Sequence, residues 1–282
     1  MRVIEHISDL KAIVRIQKKT GKSIGLVPTM GYLHDGHISL VNMSKSENDF
    51  TIMSIFVNPA QFGVNEDFDK YPRDMEGDSQ KAVLAGVDII FAPSVKEMYP
   101  EGYNTFVEVS RITNKLCGRS RPQHFKGVTT VVSKLFNIVE PDKAYFGQKD
   151  AQQAIVIKKM VKDLNMSVEI MICPIVREKD GLAMSSRNAY LNSEERKAAT
   201  VLSKLLLEAE IMIKDGERSV NVVYNYIIDA ISSETQAYVD YVAVVDAESL
   251  ENVRILKGKI LIALAVKFGK TRLIDNIIVE VL

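Results

Sequence analysis

Two histidines three residues apart, His34 and His37, mark the stretch of this chain best suited to chemistry. They stand in the segment PTMGYLHDGH at 28–37. The apolar run at 23–27 predicts a buried strand, and a helix is predicted to begin near Asp35. A strand that leads through a glycine turn into a helix presents backbone N–H groups and the positive end of the helix dipole to one spot. The segment therefore predicts an anion-binding site beside two imidazoles.

The histidine pair allows other interpretations. Three-residue spacing places both rings on one face of a first helical turn, so the pair could be an ordinary helix start with surface histidines. It could also bind zinc, although Asp35 is the only carboxylate close by. The spacing resembles the HxGH signature of nucleotidylyl transferases and class I aminoacyl-tRNA synthetases, whose histidines hold ATP phosphates during attack at the α-phosphorus.

A second polar cluster, at 147–153, follows another predicted strand. It contains Lys149 and Asp150 with Gln148 and Gln153 nearby. An ammonium group there can meet a phosphate, and a carboxylate can accept from ribose hydroxyls. The alternative is a capped helix with Asp150 as the cap and Lys149 in solvent.

A third cluster, Asn58 and Gln61, follows the apolar run at 50–57. Uncharged amides suit a small polar acid such as a hydroxy acid, and Pro59 stiffens their loop. An ordinary turn after a strand is the alternative.

The triplet Ser185-Ser186-Arg187 offers two hydroxyls and a guanidinium group, which suit pyrophosphate oxygens. A helix N-cap is the alternative. A similar triplet lies in Met43–Ser46, but it falls inside the predicted histidine helix. We expect Met43–Ser46 to be an ordinary helix surface and Met184–Arg187 to be the functional segment.

The elements that must position these clusters alternate between strand and helix. The resulting fold class is α/β: a Rossmann-like parallel sheet forming a nucleotide-binding domain, with a smaller C-terminal α+β domain. The predicted strands of the first domain are 23–27, 50–57, 88–92, 106–109, 143–146 and 168–173, and its predicted helices are 8–20, 35 onward, 74–86, 125–139 and 151–164. Ligands of such sheets bind beyond the strand C-termini, where all three clusters fall if the strand order permits.

A change of composition near Arg177 predicts a boundary between domains 1–176 and 177–282. The polar stretch 177–188 is predicted to be a hinge and lid. Further elements are then predicted: a helix to about Asp215 that Ser193 could cap, with Arg196 leaving a capping box incomplete, a helix at 220–232, and strands at 240–245, 259–267 and 272–280.

The composition narrows the class of protein. The chain has 282 residues and a formal net charge of +0, which argues against a nucleic-acid partner. Two cysteines are too few for a disulfide framework, and the charged N-terminus predicts no signal peptide. The most apolar stretch, 260–266, is too short to span a membrane. We expect a cytoplasmic protein without a membrane or nucleic-acid partner. No GxxxxGK[ST], GxGxxG or GxSxG motif is present in the sequence. This argues against a P-loop for ATP, a dinucleotide-binding dehydrogenase and a serine-hydrolase nucleophile elbow.

Six motifs occur in one order: PTMGYLHDGH, FVNPAQF, YPRD, RPQHFKGV, YFGQKDAQQ and REKDGLAMSSRN. Together they resemble the pantothenate synthetase (pantoate–β-alanine ligase) family of the HxGH superfamily. The motifs span 28–188, and the rest of the chain resembles the family in length and pattern. Tyr32 replaces an expected small residue, which could reshape the pocket wall, and Asp35 replaces an expected Glu.

The resemblance implies an enzyme that activates (R)-pantoate with ATP to pantoyl adenylate and pyrophosphate. β-Alanine then attacks the adenylate, giving pantothenate and AMP. The resemblance also implies Mg²⁺ bridging the ATP phosphates, with Asp78 as a possible ligand, and a homodimer. The segment 121–125 is our candidate for a dimer contact or a site rim.

The resemblance assigns roles to particular residues. His37, His34 and Lys149 are implied as catalytic, with His37 as proton donor. Asn58, Gln61 and Gln153 are implied for pantoate, and Gln61 also for β-alanine. The implied ATP site consists of Met30, Gly31, Tyr32, Leu33, His34, Asp35, Gly36, His37, Gly147, Gln148, Lys149, Asp150, Val176, Met184, Ser185, Ser186 and Arg187.

Three competing functions stay open. Another carboxylate-adenylating ligase or nucleotidyltransferase would share the His and Lys clusters but not Asn58 and Gln61 together with Gln153. A non-enzymatic nucleotide-binding module would tolerate loss of His37 and Lys149. A tRNA-binding synthetase fragment would need a basic surface.

Overall fold

The computed structural model describes residues 1–63 and 66–282, which divide into two compact units. The first unit comprises Met1–Thr113, Arg121–Gln148 and Gln152–Pro174. The second comprises Asn114–Ser120, Lys149–Ala151 and Ile175–Leu282.

The strands and helices follow the alternation expected from the sequence. The strands are β1 (Arg2–Ile4), β2 (Ile24–Thr29), β3 (Phe50–Ile55), β4 (Ile89–Phe91), β5 (Lys143–Gly147), β6 (Glu169–Cys173), β7 (Ala237–Asp246), β8 (Gly258–Phe268) and β9 (Thr271–Val281). The helices are α1 (Ile7–Lys19), α2 (Asp35–Glu47), α3 (Met75–Leu84), α4 (Val95–Met98), α5 (Leu116–Ser120), α6 (His124–Val139), α7 (Ala151–Asp163), α8 (Ser193–Ala199), α9 (Val201–Lys214) and α10 (Val220–Ser232).

The first unit is built on a parallel sheet in the order β1-β4-β3-β2-β5-β6. Its central strands are buried on both faces, because Ile24, Leu26, Ile52 and Met53 have no exposed surface. Burial on both faces explains why β2 and β3 are nearly continuous apolar runs and not alternating ones.

The second unit contains an antiparallel sheet in the order β7-β8-β9. The apolar faces of α9 and α10 form a core with this sheet, with Leu206, Ile227 and Leu264 fully buried. The parallel sheet with helices and the smaller α+β unit confirm the predicted fold class.

The strand predicted at 106–109 is wrong. Its backbone bonds to side chains of α6: the Val107 N–H donates to Oγ1 of Thr130 at 3.0 Å, and its carbonyl accepts from Oγ1 of Thr129 at 2.6 Å. Threonine hydroxyls thus satisfy groups that a neighbouring strand would otherwise bind. The short strand β1 was not predicted.

The helix predicted to run to Asp215 is two helices, α8 and α9, which meet at Thr200. The Thr200 hydroxyl donates to the Lys197 carbonyl at 2.8 Å and so competes with the helical hydrogen bonds. The predicted cap at Ser193 is also wrong by one residue. Asn192 is the N-cap, and Glu195 completes the capping box that was expected to be incomplete.

The segment Met43–Ser46 lies inside α2, as expected. The expectation of an ordinary helix surface is wrong for Ser44, which is buried and shares a hydrogen bond of 2.8 Å with Oγ1 of Thr51. Lys45 pairs with Asp88 at 2.9 Å. These contacts give the segment a packing role.

Candidate active site

The strand order places side by side the three strands that precede the predicted polar loops. β3, β2 and β5 are neighbours, and each is followed by one of the polar clusters. The chain adds strands outward from β2 to β3 and β4, and then continues on the other side of β2 with β5 and β6. Such a reversal creates a crevice beyond the strand ends, which is where α/β sheets bind ligands.

The two predicted histidines share a face at the start of α2. His34 is the N-cap, and the ring centroids of His34 and His37 lie 4.0 Å apart. The His34 backbone N–H donates to Nδ1 of His37 at 3.3 Å. A ring that accepts at Nδ1 carries its proton on Nε2 when neutral, so this contact aims an N–H donor of His37 away from the helix backbone.

The turn between β2 and α2 is held in an unusual conformation. Gly31 and Tyr32 both have positive φ, at 84° and 51°. The buried Asp78 carboxylate accepts from the backbone N–H of Tyr32 at 2.8 Å and of Leu33 at 2.6 Å. A Cβ on residue 31 would lie 2.9 Å from Oδ2 of Asp78, so the turn requires glycine there.

Asp78 and Lys81 fasten this turn from α3. Lys81 donates from Nζ to the Leu33 carbonyl at 2.6 Å. Burial raises the pKa of Asp78, while hydrogen bonds from Leu33 and Tyr32 and the charge of Lys81 oppose that rise. Asp78, predicted as a possible Mg²⁺ ligand, therefore has a structural role in the turn; metal binding by Asp78 stays a prediction.

Asn58 and Gln61, predicted for pantoate, are bonded to each other. Asn58 is buried and donates from Nδ2 to Oε1 of Gln61 and to the Gly127 carbonyl, both at 3.1 Å. Nε2 of Gln61 reaches Sδ of Met30 at 3.0 Å. The structure thus joins the loop after β3 to the first residue after β2.

The segment 121–125 lies against the same loop. The Gln61 carbonyl contacts Nη2 of Arg121 at 3.3 Å and Nδ1 of His124 at 3.0 Å. Arg121 also forms a two-point ion pair with Glu66, with its Nε 2.6 Å from Oε1. Burial raises the pKa of Glu66, but hydrogen bonding and the charge of Arg121 outweigh it, so the pKa is lowered.

Gln153, the third residue predicted for pantoate, is half-buried on the first turn of α7. Its neighbour Gln152 donates from Nε2 to the Ile112 carbonyl at 2.9 Å. That bond fixes the start of the helix on which Gln153 stands.

Lys149 and Asp150 belong to the second unit. Nζ of Lys149 lies 3.8 Å from Oδ2 of Asp150, and the Lys149 side chain is one-fifth exposed. Its backbone carbonyl accepts from Nδ2 of the buried Asn276 on β9 at 2.9 Å. The predicted phosphate-binding lysine is therefore tied through its backbone to the antiparallel sheet.

The segment 176–184, most of which belongs to the predicted hinge and lid, is a tight antiparallel turn. Backbone bonds link Met184 to Val176 at 3.0 Å and Glu178 to Leu182 at 2.8 Å. Arg177 forms a two-point ion pair with the buried Asp275, at 2.6 and 3.1 Å. The predicted hinge is thus anchored to β9.

The serine–arginine segment follows directly. Oγ of Ser185 accepts from the Arg187 backbone N–H at 3.3 Å and caps the 3-10 turn Ser186–Tyr190. Asn188 donates to Oε1 of Glu178 at 2.7 Å, which connects this turn to the hairpin before it. The capped turn is compatible with a phosphate-binding role, because the Ser185 oxygen only accepts in the cap and its O–H can still donate.

Three residues of this region were not singled out from the sequence: Lys81, Tyr99 and Gly127. Tyr99 donates to Oδ1 of Asn58 at 2.8 Å. A Cβ on residue 127 would lie 2.1 Å from the Ala60 carbonyl oxygen, so α6 approaches this loop too closely for any side chain. A glycine inside the helix predicted at 125–139 was a sequence signal for this contact.

Comparison with known proteins identifies a family and solved structures to which this chain is similar. A family model described as pantoate-beta-alanine ligase matches residues 2–278. A pantothenate synthetase of Acetivibrio thermocellus is 70% identical over 281 residues, covering 100% of both chains.

Two solved structures are also similar. The crystal structure of a Thermus thermophilus pantothenate synthetase superposes with a TM-score of 0.94 at 44% identity, covering 98% of this chain and 99% of the other. The crystal structure of a Francisella tularensis pantoate-beta-alanine ligase, in complex with beta-gamma ATP and beta-alanine, gives a TM-score of 0.81 at 38% identity, with coverage of 98% and 97%.

Proposed function

This chain belongs to the pantoate–beta-alanine ligase family, and on that premise we propose that it makes pantothenate from (R)-pantoate and β-alanine with ATP. The pantoate carboxylate attacks the α-phosphorus of ATP, and pyrophosphate leaves. The β-alanine amine then attacks the acyl carbon of pantoyl adenylate, and AMP leaves. The adjacency of β3, β2 and β5 is the observation that supports this proposal, because each of these neighbouring strands is followed by a polar cluster.

We propose that the histidines and Lys149 stabilise charge at the phosphorus during the first step. Negative charge is redistributed there as pyrophosphate leaves, so fixed donors lower the barrier more than a strong base would. The His37 tautomer, with its proton on Nε2, supports a role as donor. Ser185, Ser186 and Arg187 would hold phosphate oxygens. The other residues that the family resemblance assigns to ATP are proposed to bind it as well.

We propose that Gln61 and Gln153 bind pantoate and that Gln61 also meets β-alanine. Gln61 is nine-tenths buried, and its side chain reaches Met30 beside the histidine turn. A buried amide that touches the residue before Gly31 is suited to hold an acid next to the phosphate-binding turn.

We propose that Mg²⁺ enters with ATP. Mg²⁺ in ATP sites is typically held by phosphates, waters and one or two carboxylates. Within residues 1–63 and 66–282, no three His, Cys, Asp or Glu side chains gather as metal ligands. Both oxygens of Asp78, the candidate ligand, accept backbone N–H groups of the histidine turn. Magnesium would neutralise phosphate charge when bound.

We propose a cytoplasmic homodimer as the working form. In the part of the chain that the structure describes, no helix is long and apolar enough to cross a membrane. Cys117 and Cys173 are buried and do not form a disulfide, which suits a reducing compartment.

The experiment that tests the proposal is isotope exchange between ATP and pyrophosphate with a panel of carboxylic acids. We expect exchange that requires pantoate and proceeds without β-alanine. Exchange that depends strictly on β-alanine would contradict a separate adenylate step. Exchange supported equally well by unrelated acids would favour another adenylating ligase.

A further inference from the structure

Tyr99, which the proposed mechanism does not use, lies at the end of a chain of hydrogen bonds that leads to the proposed pantoate site. Its hydroxyl meets Oδ1 of Asn58, Nδ2 of Asn58 meets Oε1 of Gln61, and Nε2 of Gln61 meets Sδ of Met30. All four residues belong to the first unit. We call Tyr99, Asn58 and Gln61 the amide relay.

The backbone determines which way the Asn58 amide points. The Ala60 N–H can only donate, and it contacts Oδ1 at 3.3 Å. The Gly127 carbonyl can only accept, and it contacts Nδ2 at 3.1 Å. A reversed amide would place an N–H group against an N–H group and an oxygen against an oxygen. Asn58 therefore presents its remaining N–H to Gln61.

Every hydrogen-bonding position of Asn58 is then used. Its two N–H groups serve Gly127 and Gln61, and its oxygen accepts from Ala60 and Tyr99. An amide oxygen carries no hydrogen and can only accept, so the Tyr99 hydroxyl is the donor in its bond to Asn58. Asn58 is also only 1% exposed. Because its side chain is buried and its hydrogen bonds are made within the protein, Asn58 does not contact a substrate directly.

The direction of the hydrogen bonds in the relay determines which group of Gln61 is available to a substrate. Because Oε1 of Gln61 accepts from Asn58, its NH₂ group faces the other way, towards Met30. A thioether sulfur is a weak acceptor, so an oxygen of a bound acid would replace it favourably. The site consequently presents a donor and selects a substrate group that accepts.

Packing around its ring holds Tyr99, the first residue of the amide relay, in position. The Tyr99 ring lies 5.1 Å from the Tyr103 ring, and Nζ of Lys134 lies over both rings, at 5.7 and 4.6 Å. Burial, with a smaller contribution from Tyr103, raises the pKa of Tyr99. The hydroxyl thus keeps its proton at neutral pH and remains a donor.

We propose that Tyr99 is a positioning residue that, through Asn58, makes Gln61 present its N–H donors to an acceptor oxygen of the acid substrate. This inference rests on the proposed function, since it takes Gln61 as the pantoate residue. It also changes the predicted role of Asn58, which acts on pantoate through Gln61 and not by direct contact.

The test compares Tyr99→Phe with Tyr103→Phe in pantoate-dependent ATP–pyrophosphate exchange. Loss of one hydrogen bond to Asn58 should raise the KM for pantoate about 3–10-fold, with the KM for ATP unchanged. Tyr103→Phe makes the same chemical change one ring further from Asn58 and should leave both constants near wild type. A Tyr99→Phe enzyme whose two KM values rise together, or not at all, would overturn the proposal.

A double-mutant cycle separates positioning from simple packing. If Tyr99 acts through Gln61, Tyr99→Phe should add little to the pantoate KM of Gln61→Ala. Full additivity would overturn the proposal. Asn58→Asp replaces the N–H donor that faces Gln61 by an oxygen. It should raise the KM for pantoate at least as much as Gln61→Ala does. Wild-type protein that shows no pantoate-dependent exchange would instead contradict the proposed function, before any variant is compared.

Discussion

At the scale of single residues, the site depends on donors held by backbone contacts. His37 is oriented by the His34 N–H, and the turn before it is held by Asp78 and Lys81. Neither support was visible in the sequence motif, which identified the histidines but not the groups that position them.

The residue-scale prediction concerns His37 and Lys149. If each stabilises charge at the phosphorus, His37→Ala and Lys149→Ala should each lower the adenylation rate about 10²–10³-fold. Single-turnover formation of pyrophosphate measures this step, and circular dichroism checks the fold of each variant. Lys158→Ala, on an exposed position of α7, is the matched control for loss of a lysine. A folded variant within a few-fold of wild type would remove the assigned role from that residue.

At the scale of elements, close packing between α6 and the turn at Pro59–Gln61 shapes the proposed pantoate site. Gly127 lets the two backbones approach, and a Cβ there would also lie 2.5 Å from the Gln61 backbone nitrogen. Since the obstacle is backbone, it cannot be relieved by a change of rotamer.

We therefore predict that Gly127→Ala destabilises the protein and weakens pantoate binding. Alanine is the better helix former by about 1 kcal/mol, but overpacking of this kind costs typically 1–3 kcal/mol. Urea unfolding should show a net decrease in the free energy of unfolding, and the KM for pantoate should rise. Gly147→Ala is the stability control, because a Cβ there meets nothing within 4 Å. Unchanged stability and KM in Gly127→Ala would show that the turn can shift freely.

A second prediction at this scale concerns the turn at 176–184 and the segment after it. Arg187→Ala should weaken ATP binding or slow adenylation roughly 10–100-fold, as expected for the loss of a charge-assisted hydrogen bond of about 1.5–3 kcal/mol. Pantoate binding should be unaffected. ATP should also slow hydrogen exchange at 181–187. If ATP leaves exchange there unchanged, Ser185–Arg187 is a capped turn and not part of a lid.

At the scale of the whole molecule, we predict a homodimer. A net charge of zero does not oppose association of two copies. Light scattering at micromolar concentration should give twice the chain mass of 31.5 kDa. A monomer mass over a tenfold range of concentration would refute the dimer.

Local sequence patterns were sufficient for the helices and strands with strong periodicity. α10 lies where its apolar spacing predicted it, and the continuous apolar run at 50–57 contains the buried strand β3. Patterns failed where side chains compete with the backbone: hydroxyls of α6 bind Val107, and Thr200 divides the predicted helix. Such competition depends on neighbours that a local window does not include.

For the site, the sequence by itself determined which residue types stand at each strand end, and its motifs determined the family. Tertiary structure decided that β3, β2 and β5 are neighbours, that Asp78 holds the histidine turn, and that Asn58 orients Gln61. Strand order and hydrogen-bond direction join residues far apart in the chain. They follow from how the sheet is assembled and how its helices pack, which no spacing along the sequence encodes.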